Sequence, residues 1–73
     1  MTTTQPNTEK TMLISETVAR ITGMPSLFDD MKQHEPESIE ALMEKVEFVM
    51  KNRLSSVTDS EAVEIAVIRW WAK

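Results

Sequence analysis

The chain has 73 residues, with 12 Asp and Glu against 8 Lys and Arg for a net charge of −4, one histidine and no cysteine. A chain of this length makes one domain with a thin core, since only about 60% of its unfolded surface can be buried, and without cysteine it has neither a disulfide framework nor, with one histidine, a zinc cluster in its place. Its acidity argues against direct nucleic-acid binding, because that affinity comes largely from Lys and Arg displacing counterions.

Residues 1–10, MTTTQPNTEK, carry no apolar residue after Met1. Burial cannot repay their ordering entropy, so a disordered N-terminal arm is expected ahead of a single helical domain over residues 11–73. From Thr11 to Thr22, Leu13 or Ile14, Val18 and Ile21 suit one face of a short helix; Gly23 can end it at positive φ, and Pro25 forbids its continuation. Ser26-Leu27-Phe28-Asp29 has the form of a capping box with the shorter acid, opening a second helix that runs to His34. Leu27, Phe28 and Met31 are its expected buried residues, and Asp29 and Asp30 suit the positive end of its dipole.

Glu35 to Leu54 is the most periodic stretch, and the rest of the chain is expected to cover it. Ile39, Leu42, Met43, Val46, Val49 and Met50 fall within an arc of roughly 120° on a helix, with Pro36 in the first turn where its missing N–H is no loss. After Ser55 and Ser56, Thr58-Asp59-Ser60-Glu61 is a better capping box, opening a helix from Asp59 to Lys73. The VEIAVIRWW run within it also suits a strand, with Val63, Ile65 and Val67 on one face. The cap, the length and the absence of a second strand favour helix. The expected fold is all-α, a small bundle of three to four helices with the third as its spine.

Catalytic chemistry finds little support. Asp30 stands four residues before His34, but such a pair needs a nucleophile or a metal, and Ser26 is better used as a cap. Gly23 is the only glycine, which excludes a phosphate-cradling loop. Carboxylates are plentiful, but a chain this small lacks the volume for a substrate cleft. A non-enzymatic protein without cofactor or metal is expected. No stretch approaches the roughly 20 apolar residues of a membrane span, and the first residues lack a signal-peptide pattern, so a cytoplasmic protein with no membrane partner is expected.

Two features point to binding. Glu37, Glu40, Glu44 and Glu47 stack opposite the apolar arc. They form either a solvated face, partly offset by Lys51, or an acidic docking stripe for a basic protein surface. Phe48 projects about 180° from Ile39, beside the stripe and outside the core arc, where an exposed aromatic suits a contact. The last segment is apolar almost all round, with Val63, Ala66, Val67 and Trp70 on one side and Ile65, Ile68 and Ala72 on another. One side can meet the spine and leave the other for a second molecule. Phe48, Ile65, Ile68, Trp70 and Trp71 are therefore the expected partner or dimer interface, the alternative being that the tryptophans close the monomer core. Met31, Met43 and Met50 would make these faces adaptable or simply fill the core.

Met24-Pro25, the short helix after it, Pro36-Glu37 and RLSSVTDS at Arg53 to Ser60 resemble in layout the theta subunit of the bacterial replicative polymerase, a small three-helix accessory protein. The tryptophan-bearing segment departs from that pattern. The Ile39 to Glu64 region is similar to small helical modulators of nucleoid proteins, without that family's most diagnostic residues, and neither resemblance carries a functional residue across. The expected function is a small protein–protein interaction module, a bacterial or phage-encoded regulator or inhibitor working as a homodimer. The alternative is an acidic DNA mimic or an accessory subunit of a DNA-processing complex.

Overall fold

The computed structural model describes residues 6–72, and the side chains of residues 9–72. These residues form four helices and no strand: α1 (Pro6–Thr22), α2 (Leu27–His34), α3 (Pro36–Asn52) and α4 (Asp59–Trp71). The last segment is thus helix, as its cap and length implied.

α1 starts five residues before the expected Thr11 and takes in Pro6 to Lys10, half of the segment expected as an arm; residues 1–5 lie outside the described residues. Once a helical nucleus exists, each added residue gains a backbone hydrogen bond whether or not its side chain is apolar, and Glu9 in the first turn complements the dipole. At the other end Gly23 adopts φ 74° and its N–H reaches the Ala19 carbonyl at 2.9 Å. The Thr17 and Thr22 hydroxyls donate back to the Leu13 and Val18 carbonyls, each at 2.7 Å, so Thr17, buried in the core, is satisfied.

The capping box expected at Ser26 is absent. Ser26 has φ −96° and ψ 1°, and its side chain makes no cap bond. A hydroxyl reaches the N–H three residues on only from an extended N-cap. Here a turn precedes the helix instead, with the Leu27 N–H donating to the Met24 carbonyl at 3.1 Å. Glu35 alone separates α2 from α3, and Pro36 enforces the break. Thr58 does what the sequence implied: its hydroxyl accepts from the Glu61 N–H at 3.1 Å, and the Glu61 carboxylate accepts from the Thr58 N–H at 3.0 Å.

Each helix packs on the next, and α4 closes a ring by packing on α1. α3 is therefore one member of a ring, contacting α2 and α4, rather than a spine that all the others cover. The core draws Ile14 and Val18 from α1, Phe28 from α2, Leu42 and Val46 from α3, and Ala62, Val63, Ala66 and Val67 from α4. Fully buried Ala62 and Ala66, about one turn apart, leave room for close helix approach. Arg20 of α1 pairs with Glu64 of α4 at 2.5 Å, and Arg53 pairs with Asp59 across the α3–α4 loop.

Candidate protein-binding surface

Helix α3 buries Ile39, Leu42, Val46 and Val49 and turns the opposite face outward. Phe48 stands on that outward face, 63% exposed. The wall beside it comes from α4, which crosses the Val49 side of α3 and presents Ile65 and Arg69. Between the two helices runs an open cleft of about 440 Å³, bounded by Ala41, Glu44, Lys45, Phe48 and Arg69 with Val49 as its floor. A second hollow of about 310 Å³ shares Phe48, Val49 and Arg69 and continues past Asn52 to Leu54 and Ile65. Leu54 is 73% exposed, and Ile68, one turn beyond Ile65, is 51% exposed.

Local chemistry explains why these side chains stand out. The Asn52 side-chain amide donates to the Phe48 carbonyl at 2.8 Å, closing the last turn of α3 with one of its four hydrogen-bonding groups. The chain then leaves at Arg53 in an extended conformation, and Leu54 falls past the end of the helix with no element to cover it.

The expected interface residues divide into two groups. Phe48 and Ile65 share one hollow, with Ile68 one turn further along α4. Trp70 and Trp71 lie toward the start of α3, beside Met31, Glu35 and Ser38. Their rings are 5.9 Å apart, tilted by 40°. The Trp70 indole N–H donates to the Ser38 carbonyl at 2.9 Å, and its ring packs against the core. Trp70 thus fastens the end of α4 to the start of α3, while Trp71 remains 40% exposed.

All four glutamates of the expected stripe are exposed, and among the described residues none takes part in an ion pair. They do not act on one surface. Glu44 rims the Phe48 cleft, whereas Glu47 lies on the α1 side with Lys10 and Thr11. The cleft itself gathers Lys45 and Arg69, which also have no ion pair among the described residues. Leu54, Lys45, Arg69 and Ala41 belong to this surface and were not legible as site residues. Lys45 and Ala41 lie outside the apolar arc of α3, a signal that marks exposure and no more, and Arg69 joins them only through the packing of α4.

His34 is exposed at the end of α2, with Asp30 exposed on the same helix. Among the described residues no group of three or more His, Asp or Glu is gathered as metal ligands are, and no helix is long and apolar enough to cross a membrane. No family model, curated protein or solved structure matches the chain.

Proposed function

We propose that the chain is a small non-enzymatic protein-binding module, a bacterial or phage-encoded regulator or inhibitor that works in the cytoplasm as a homodimer, with the α3/α4 face as its contact surface. The observation that carries this reading is the continuity of Phe48, Leu54 and Ile65 along one open hollow. Scattered exposed apolar residues are ordinary, whereas a contiguous patch rimmed by polar groups marks a contact site. Phe48 supplies the large anchor, and unpaired Lys45, Arg69 and Glu44 on the rim set orientation and choice of partner more than affinity.

A photo-crosslinking residue in place of Phe48 tests this in cells. It should yield a covalent protein adduct, and the same residue at exposed Gln33 on α2 should not. No adduct at position 48, or equal labelling at both positions, sinks the reading.

The exposed, unpaired glutamates favour one further reading, in which Glu37 and Glu40 imitate phosphates and occupy the site of a DNA-binding protein. Binding of that kind collapses as salt rises, because exposed charges are screened over about 8 Å at physiological ionic strength. Partner binding that survives 0.5 M salt (roughly a threefold excess over physiological ionic strength) and the double change Glu37→Gln and Glu40→Gln excludes the mimic and leaves the apolar contact.

A further inference from the structure

The charges around Phe48 are arranged so that this surface complements itself, and we infer that its occupant is a second copy of this chain, with α3 crossing α3 antiparallel about a two-fold axis at Phe48. The inference rests on the reading of this face as a protein contact and names what fills it.

On a helix, the residues that flank position 48 are those three and four away. At 100° per residue, Glu44 and Lys51 lie about 40° and 60° to one side of Phe48, while Lys45 and Asn52 lie about 60° and 40° to the other. All four are exposed, and none is in an ion pair among the described residues. A two-fold axis through Phe48 keeps each flank on its own side and reverses its direction. Glu44 then meets Lys51 of the second copy with an axial offset of about 1.5 Å, and the contact occurs twice. On the other flank Lys45 meets Asn52 of the second copy. The Asn52 amide nitrogen is already committed to the Phe48 carbonyl, so its oxygen faces outward as an acceptor. The two phenylalanine rings meet at the axis, where aromatic pairs add to simple burial.

The alternatives fail on charge. Moving the axis one turn toward Glu44 sets Glu44 against Glu44 and Lys45 against Lys45, each within about 1.5 Å along the axis. A parallel pairing sets Glu37, which shares the outward face of Phe48, level with its own copy, and aligns the helix dipoles unfavourably. Antiparallel pairing at Phe48 instead holds Glu44 about 12 Å and Lys45 about 9 Å from their own copies along the axis, at or beyond the screening length of about 8 Å.

Sedimentation equilibrium over a concentration series, with helicity checked by circular dichroism, decides the matter. The wild-type chain should reach twice 8.4 kDa. Glu44→Lys and Lys51→Glu should each weaken the dimer roughly tenfold, since two attractive exposed contacts become repulsive. The double variant carrying both should return to within about threefold of wild type. Lys45→Glu separates the two directions of packing: it leaves the antiparallel dimer near wild type and breaks a parallel one. A monomer at every concentration, a dimer indifferent to Glu44 and Lys51, a double variant that is not restored, or a dimer broken by Lys45→Glu overturns the self-pairing. A monomer that still gives an adduct at position 48 leaves the protein-binding reading standing, so the two fail separately.

Discussion

Thr58 and Trp70 show how much of a small fold can rest on one hydrogen-bonding side chain. The Thr58 hydroxyl satisfies one of the four N–H groups that every helix start leaves unpaired, so Thr58→Ala should lower stability by about 1 kcal/mol in urea titrations. Ser26→Ala should fall well below that, because the Ser26 hydroxyl makes no such bond. Trp70→Phe keeps most of the ring and loses the bond to the Ser38 carbonyl, which should cost about 1 kcal/mol. Phe48→Ala belongs to another class. With Phe48 63% exposed, the change should leave stability within about 0.5 kcal/mol while removing association. A large loss of stability at Phe48 would instead place it in the monomer core.

At the scale of elements, chain breaks and small residues decide how the helices meet. Gly23 sits at φ 74° with open space where a Cβ would stand. Gly23→Ala should therefore destabilise through backbone strain alone, by about 1 kcal/mol, measured as a lowered urea midpoint with an unchanged slope. Ala66→Leu inserts volume between packed helices and should cost about 1–3 kcal/mol. Leu42→Ala, a fully buried truncation, should cost about 2–5 kcal/mol, enough to unfold many domains of this size. Helix types and starts were legible because they depend on neighbours in the chain: three-and-four spacing, Pro36, the Thr58 cap. The Ser26 cap failed because Met24 and Pro25 place a turn where an extended residue is needed, and residue types do not disclose that backbone angle.

For the whole molecule, size is the governing fact. The buried core consists of eleven apolar side chains, three of them from the short α2 and the two alanines of α4, and self-association is one way for such a chain to gain stability. If the chain pairs through α3, its melting temperature must rise with protein concentration, since a dimer that forms only from folded chains stabilises by mass action. The dimer leaves Glu37 and Glu40 of both copies outside the seam, so any acidic contact with a different protein would use surfaces that pairing does not consume.

The sequence by itself determined the class of the fold, the four helical segments, most of the core and the exposure of Phe48 and the glutamates, because periodicity and capping act over a few residues. It also showed that the last segment has more apolar surface than one neighbour can cover. Only the tertiary structure decided which part of that surface is used internally. The packing of α4 beside α3 ties Trp70 to Ser38, brings Ile65 and Arg69 to Phe48, and parts Glu44 from Glu47. Those relations join residues more than ten positions apart or on opposite flanks of one helix. They depend on where neighbouring helices lie in space, which the spacing of residues along one helix does not specify.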